Sequence, residues 1–325
     1  MHHANHFYGH AAILARYCGI GVESPPIRGY LQHGWNIGDG LGPGTPYVHG
    51  EPVFVWSDAT RLRALRVGRP NVIAIGAPWL YLPGEYASRL HSTETGEAPT
   101  WSSFDAPPRR AEAGLDYAPE PFPAPREGER AGTIWYPFHG YEAQEVTGDH
   151  RRLIAEIRSV ETEPVTVCLY WFEYRDRRIR RLYERAGFDV VCHGYRGFWW
   201  RDTDPAFLHR QRETLRRFRR VASNRVSSAL FYGVAAGCEP AVYGDPMVLE
   251  DEDGEYGGHA RICRQWPELL GPAADVATAR RIAAVELGVD HVVSPPELTE
   301  LFGWSLMDER AGAADPHDRT VKELA

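Results

Sequence analysis

Four short polar clusters in the sequence have the residue types of a site that binds and transfers a charged group. They combine histidine, carboxylate, hydroxyl and amide side chains and read LQHGWN, YPFHGYE, YWFEYRD and SNRVSS at residues 31–36, 136–142, 170–176 and 223–228. Each follows a short apolar run of the kind that forms a buried strand. Because ligands of open α/β sheets lie beyond the carboxyl ends of the strands, the sequence predicts that these clusters converge on one ligand.

The cluster SNRVSS precedes an apolar run of small residues that is typical of a buried helix. Ser223 and Asn224 are of the types that cap helices, which predicts a helix that begins near Arg225. The unpaired N–H groups and the positive dipole end of such a helix attract anions, and Ser227 and Ser228 add hydroxyl donors. We therefore expect a phosphate at this point, with plain capping as the alternative.

Two histidines follow predicted strands. His33 precedes a Gly-rich loop that also supplies Asp39. A neutral imidazole there is suited to act as general base on an acceptor hydroxyl, with Asp39 as the reserve base and a structural histidine as the alternative. His139, as an imidazolium, would neutralise a phosphate leaving group, and Glu142 would orient it or bind a ribose hydroxyl. A metal pair of His139 and Glu142 is the rival interpretation, although no third ligand stands at a recognised spacing.

Aromatic side chains make up 12% of the residues, which is a high share. Trp171 follows a predicted strand, and Tyr232 lies in the helix after SNRVSS. Aromatic rings at such positions stack on a sugar or a base, or they simply fill the core.

The elements that must position these clusters alternate between strands and helices. A helix is predicted over residues 10–17, and strands in PVFVWSD and NVIAIGAPWLYL flank a helix in ATRLRALRVG. The same rhythm returns with strands in TIWY, VTVCLYWF, FDVVCHGY and PAVYG and with helices over residues 149–160, 177–186 and 205–218. This spacing favours an α/β protein with parallel sheets. We predict a first domain over residues 1–130 that ends in a Pro-rich linker, a nucleotide-binding domain over residues 131–300, and a polar tail over residues 301–325.

Composition and charge narrow the function. The 325 residues carry a formal net charge of −8, which argues against a nucleic-acid partner. The five cysteines are odd in number and widely spaced, which favours a cytoplasmic protein without a disulfide framework. No stretch has about 18 consecutive apolar residues, so we expect no transmembrane segment. The run RDRRIRRLYERAG is typical of a solvated amphipathic helix, with peripheral membrane contact as the alternative.

The order of these clusters resembles the GT-B type of glycosyltransferase, and most of all the bacterial surface-polysaccharide sialyltransferases and Kdo transferases that use CMP-activated sugars. The resemblance implies two Rossmann-like domains whose parallel sheets face a central cleft, with the donor nucleotide in the C-terminal half and the acceptor in the N-terminal half. A His motif and a Ser-Ser motif of those enzymes grip the nucleotide phosphate, and His139 and Ser227–Ser228 occupy the matching places. That His motif is normally followed by Pro, where Gly140 stands here.

We therefore expect a metal-independent glycosyltransferase that needs no cofactor besides its nucleotide-sugar donor. A CMP sugar is the favoured donor, and a glycan or a small-molecule hydroxyl is the acceptor. A nucleotide-sugar epimerase or hydrolase on the same fold is one alternative, and a non-catalytic protein that binds a glycan or a nucleotide is another.

Overall fold

Two parallel β-sheets, one in each half of the chain, form the framework of the protein. The computed structural model describes residues 2–3, 7–22, 24–42, 48–82, 130–141, 144–197, 203–255 and 257–305. We call residues 2–82 the first lobe and residues 130–271 the second lobe. Of the predicted linker over residues 91–130, all but Arg130 lies outside the described residues.

The first lobe holds the smaller sheet. Its elements are β1 (His2–His3), α1 (His10–Tyr17), β2 (Ile27–Arg28), β3 (Tyr30–Leu31), β4 (Val53–Val55), α2 (Asp58–Arg66) and β5 (Val72–Ala74). Strands β3, β4 and β5 pair in parallel in that order, and β1 pairs with β2 in antiparallel fashion. Helix α1 has the predicted bounds. Ser57 begins α2 because its side chain accepts a hydrogen bond from the N–H of Thr60.

The second lobe holds a five-stranded sheet. Its strands are β6 (Thr133–Tyr136), β7 (Val146–Thr147), β8 (Val165–Cys168), β9 (Asp189–Val191), β10 (Arg220–Ser223), β11 (Glu239–Val242) and β12 (Val248–Leu249). Its helices are α3 (His150–Val160), α4 (Trp171–Arg175), α5 (Arg177–Arg185), α6 (Phe207–Leu215), α7 (Ser228–Ala235) and α8 (Gly258–Gln265). The sheet order is β11, β10, β6, β8, β9 with every pair parallel. This is the doubly wound order, so the predicted α/β class with parallel sheets is confirmed.

Helix α7 lies close to the sheet because small residues face it. A Cβ placed on Gly233 would lie 2.5 Å from Cγ1 of Val221 on β10, so only glycine permits this approach. Gly237 adopts φ +93° just after the helix and ends it, as the sequence predicts.

The chain returns to the first lobe after the second sheet. Helix α9 (Val276–Leu287) packs on both α7 and α2, and α10 (Pro295–Leu301) follows it. The N–H of Arg28 donates to the carbonyl of Phe302, and Phe302 and Trp304 are fully buried. The start of the predicted polar tail is therefore wrong at these two residues, because their aromatic rings complete the core of the first lobe. Residues 306–325 lie outside the described residues.

Two predicted strands are shorter than their apolar runs. The run over residues 71–82 leaves the sheet after Ala74, and Pro78 begins a 3₁₀ turn because it has no N–H to give a strand partner. The run over residues 165–172 leaves the sheet after Cys168, and Trp171 begins α4. In the described ranges, no helix combines the length and the apolar character needed to cross a bilayer.

Candidate active site

A cavity of about 520 Å³ lies between the two lobes. Most of its lining comes from the loop after β3 in the first lobe and from the carboxyl ends of β6, β8, β9 and β10 in the second. Strands β6 and β10 are neighbours from which the chain proceeds in opposite directions, and such a switch point is where doubly wound sheets bind ligands. The cavity therefore has the position predicted for the central cleft.

The start of helix α7 faces this cavity. Ser227 is the N-cap residue, with φ −148°, and its side chain makes no capping hydrogen bond. Its first N–H groups and the positive end of its dipole are thus presented beside Ser227 and Ser228, which both line the cavity. The Ser228 hydroxyl accepts a hydrogen bond of 2.8 Å from the N–H of Trp35 in the first lobe.

The predicted helix start near Arg225 is wrong by three residues. Asn224 does not cap a helix, because its Oδ1 accepts from the N–H of Phe138 at 2.6 Å and its Nδ2 donates to the carbonyl of Asp245 at 2.7 Å. Its side chain thus ties the ends of β6 and β11 together and is absent from the cavity lining. Ser223 lines the cavity but is almost fully buried, and its hydroxyl accepts from the N–H of Arg225 at 3.3 Å.

Arg225 forms part of the cavity wall, but its charge is already neutralised. Its guanidinium pairs with Glu252 at 2.7 Å, donates to the carbonyls of Pro246 and Met247, and lies 4.0 Å from the ring centroid of Phe138. Because these contacts use its donors and pair its charge, Arg225 is a structural part of the cavity wall.

His139 lines the cavity directly after β6. Its Nδ1–H donates to the carbonyl of Gly140 at 2.6 Å, and its ring stacks on Tyr170 with centroids 4.2 Å apart and an interplanar angle of 16°. The imidazole is therefore held in one orientation beside the switch point. Glu142, its predicted partner, lies outside the described residues.

His33 lines the cavity from the first lobe. Its ring packs on Phe7 with centroids 4.7 Å apart, and none of the described residues forms a hydrogen bond with its nitrogens. Burial, and then the cation of Arg196, lower the pKa of His33 to about 4. The imidazole is thus neutral at pH 7, which is the state that a general base requires.

Asp39 and Trp171 are not among the described residues that line the cavity, and their predicted roles stay predictions. Asp39 forms an ion pair with Arg69 and accepts from the N–H of Leu41 at 3.2 Å, because the Gly-rich loop folds its side chain back toward the first lobe. Trp171 is 8% exposed, lies in a small apolar cluster with Tyr170, and carries the Arg175 guanidinium 5.7 Å from its ring centroid.

Tyr232 lines the cavity from α7 but is mostly a core residue. It is 3% exposed, and its ring stacks on Trp79 with centroids 4.4 Å apart and an interplanar angle of 7°. Burial raises the pKa of Tyr232 well above its ordinary value, so the phenol stays protonated. Its remaining role is to shape the cavity wall.

The structure adds residues that the sequence does not single out. His259 lines the cavity at the start of α8, its N–H donates to Glu252 at 3.1 Å, and burial and the Arg225 cation lower its pKa. Gly257 and Gly258 directly before His259 are the sequence feature that could have indicated this residue. Tyr8 also lines the cavity, from a left-handed backbone conformation with φ 57° that sequence patterns do not reveal. The described residues contain no group of three or more His, Cys, Asp or Glu arranged to hold a metal ion.

No protein-family model and no curated protein matches the sequence. The chain is similar to the crystal structure of Alr3699/HepE from Anabaena in complex with UDP and glucose, with 14% identity and a TM-score of 0.30, over 79% of this chain and 63% of that one. It is also similar to a TarM variant from S. aureus in complex with Fondaparinux, alpha-GlcNAc-glycerol and UDP, with 13% identity and a TM-score of 0.26, over 80% of this chain and 43% of that one. The chain thus spans less than two thirds of the length of either structure.

Proposed function

We propose that the protein is a glycosyltransferase that moves a sugar from a nucleotide-activated donor to a hydroxyl acceptor. One observation carries the proposal: a neutral imidazole from the first lobe and an uncapped helix start with a second imidazole from the other lobe line the same cavity. An acid–base group for the acceptor and an anion site for the leaving group are the two parts that such a transfer needs.

The residues divide into two roles. His33 accepts the proton of the acceptor hydroxyl as its oxygen forms a bond to the anomeric carbon of the sugar. The bond between that carbon and the phosphate oxygen breaks, and its electron pair leaves with the nucleotide. His139, Ser227 and the first N–H groups of α7 then stabilise the negative charge on the departing phosphate.

The charge of the cavity favours transfer over glycoside hydrolysis. Most glycoside hydrolases use two carboxyl groups on either side of the scissile bond. Among the described residues that line the cavity, Glu252 is the single carboxylate, and it is held in an ion pair with Arg225. The described part of the wall therefore lacks the carboxylate pair of a hydrolase.

The acceptor site belongs to the first lobe, because His33 is the candidate base. The donor nucleotide belongs to the second lobe, at the switch point between β6 and β10. The resemblance in sequence favours a CMP sugar, and the acceptor is a glycan or a small molecule with a free hydroxyl. Peripheral membrane contact through the arginines of α5 stays a prediction.

A thermal-shift panel with CMP, UDP, GDP and dTDP tests the proposal. We expect one nucleotide to raise the melting temperature, since a ligand of the folded state stabilises it by mass action. The Ser227→Ala, Ser228→Ala double variant should lose this shift, whereas Ser159→Ala, at the exposed end of α3, should keep it. The proposal is wrong if no nucleotide binds, or if the corresponding nucleotide sugar is turned over equally well by the double variant.

A further inference from the structure

Five side chains form a continuous stack that joins the two candidate catalytic histidines. His33 packs on Phe7 with ring centroids 4.7 Å apart, and the Arg196 guanidinium carbon lies 5.4 Å from the centroid of Phe7. The same carbon lies 5.8 Å from the centroid of Tyr170, which stacks on His139 at 4.2 Å. The stack runs from the loop after β3, through the N-terminal turn, to the loop after β6.

Arg196 stands at the centre of this stack and is held firmly. It lies in the loop after β9 and is 5% exposed. Its Nε donates to the Tyr170 hydroxyl at 2.9 Å, and its carbonyl accepts from the N–H of Tyr8 at 2.8 Å. A Cβ on Gly9 would lie 2.6 Å from the carbonyl oxygen of Pro205, so the N-terminal turn is pressed against the second lobe. The turn is thus fixed to the loop that carries the guanidinium.

We propose that Arg196 is a positioning residue that fixes the orientation of His33 and His139 relative to each other through the rings of Phe7 and Tyr170. This inference rests on the proposed function, in which the two imidazoles act on opposite sides of one transferred sugar. A planar guanidinium contacts two rings and donates to a hydroxyl at the same time, whereas an ammonium does not. The position therefore requires arginine, and its charge alone does not suffice.

The same geometry gives a signature that a purely structural role would not produce. The Arg196 cation is the charged group that lowers the pKa of His33, and His33 in turn lowers the pKa of the neighbouring His10 on α1. Removal of the cation should raise the pKa of His33, while burial, which is the larger cause, keeps that pKa below its ordinary value. Replacement by lysine should leave the pKa of His33 low and yet disturb both rings.

The experiment compares Arg196→Met and Arg196→Lys with the wild type and with Arg220→Met. Arg220 is a half-buried arginine, paired with Glu161 at 3.2 Å and outside both the stack and the cavity. We expect both Arg196 variants to lose about tenfold or more in kcat, because misplaced catalytic groups are costly, with donor KM little changed. NMR titration of the histidine ring signals should show a raised pKa of His33 in Arg196→Met only, and shifted His33 and His139 signals in both variants. Arg220→Met should show none of these changes.

Wild-type kcat in a folded Arg196→Met variant would overturn the inference, and so would full activity in Arg196→Lys. If the methionine variant does not fold, Tyr170→Phe removes the hydrogen bond to Nε and keeps the ring, and unchanged kcat and His139 signals would then overturn it. The NMR titration uses the free protein and needs no substrate. A failure of the transferase proposal would therefore appear as missing turnover in the wild type. The NMR signals would still show whether Arg196 couples the rings of His33 and His139.

Discussion

The N–H of Trp35 donates a 2.8 Å hydrogen bond to the Ser228 hydroxyl and thereby joins the loop that carries His33 to the start of α7. Gly34, the preceding residue, also lies near this hydroxyl, since a Cβ on Gly34 would lie 3.6 Å from the same oxygen. A hydroxyl that accepts in this way keeps its own proton for donation. Ser228 thus links the two lobes and keeps a proton to donate, whereas Ser227 makes no such link, so the two serines of the motif should respond differently to substitution.

Ser227→Ala should weaken donor binding without loss of stability. The Ser227 side chain makes no capping bond, so the fold loses nothing when it is removed. A hydrogen bond to a charged group contributes about 1.5–3 kcal/mol, which predicts a rise in donor KM of roughly 10-fold to 100-fold. Steady-state kinetics with varied donor, together with urea unfolding, checks this. An unchanged donor KM would remove Ser227 from the site.

Ser228→Ala should instead lower the free energy of unfolding. The substitution leaves the N–H of Trp35 without its acceptor at a partly buried contact, which costs about 1–3 kcal/mol. Urea unfolding should show a lower midpoint at an unchanged slope. Ser159→Ala is the matched control and should change the midpoint little. If Ser228→Ala is as stable as the control, the bond to Trp35 does not hold the lobes together.

The pH dependence of turnover should identify His33 as the base. Because the pKa of His33 is lowered to about 4, the ring is neutral above that pH, and kcat/KM should hold from pH 7 to pH 5 and fall as the pH approaches 4. A bound phosphate anion favours the imidazolium, so the acid limb of kcat should lie at higher pH than that of kcat/KM. His33→Asn should lower kcat by about 10²-fold or more at every pH.

Asp39→Asn is the control for this assignment. Asp39 pairs with Arg69 and does not line the cavity, so turnover and the acid limb should match those of the wild type. A loss of activity in Asp39→Asn that equals the loss in His33→Asn would return the carboxylate to the role of base.

Much of the fold follows from periodicity, because local patterns determine where helices and strands begin. Residues 10–17 and 133–136 have the predicted bounds, since each is a short apolar segment with clear boundaries. That His139 and Ser227–Ser228 lie together was predictable too, because the carboxyl ends of parallel strands meet at one edge of a sheet. His33 follows β3 of the other sheet and lines the same cavity because that cavity lies between the two lobes.

The differences between the predicted and the observed site come from contacts between distant parts of the chain. Asn224 has the sequence features of a helix cap, but the N–H of Phe138 and the carbonyl of Asp245 compete for its amide. Asp39 has the features of a base, but Arg69 lies 30 residues further along and binds its carboxylate. Such partners are set by tertiary packing, which a local pattern does not contain.

Gly233→Ala should destabilise the protein through the packing of α7. The added methyl would lie 2.5 Å from Cγ1 of Val221, and overpacking of this kind costs about 1–3 kcal/mol. Urea unfolding measures the loss, and a second substitution, Val221→Ala, should recover part of it by making room for the methyl. Gly254→Ala is the control, because a Cβ there meets nothing within 4 Å. Equal stability of the two glycine variants would show that α7 can move away from the sheet.

Acid should destabilise the fold through its buried histidines, and His10 gives the clearest test. Burial, with a smaller effect of His33, lowers the pKa of His10 from 6.5 to about 3, and its Nε2 has no hydrogen-bond partner among the described residues. As the pH falls below 6.5, the unfolded chain takes up a proton at this position while the folded chain does not. The contribution of neutral His10 to the free energy of unfolding is therefore fully present above pH 6.5 and is lost as the pH falls toward 3. The loss amounts to about 2 kcal/mol at pH 5.

His10→Leu should remove this share of the acid sensitivity. Urea unfolding at pH 7 and pH 5 gives the loss for each protein, and the loss should be about 2 kcal/mol smaller in His10→Leu than in the wild type. His49→Asn, at an exposed position, should lose as much as the wild type, and the comparison within each protein cancels any packing change that leucine brings. The free energy of unfolding of His10→Leu and of the wild type could instead fall equally between pH 7 and pH 5. That result would mean that His10 is protonated in the folded state, because the start of α1 opens to water beside His33.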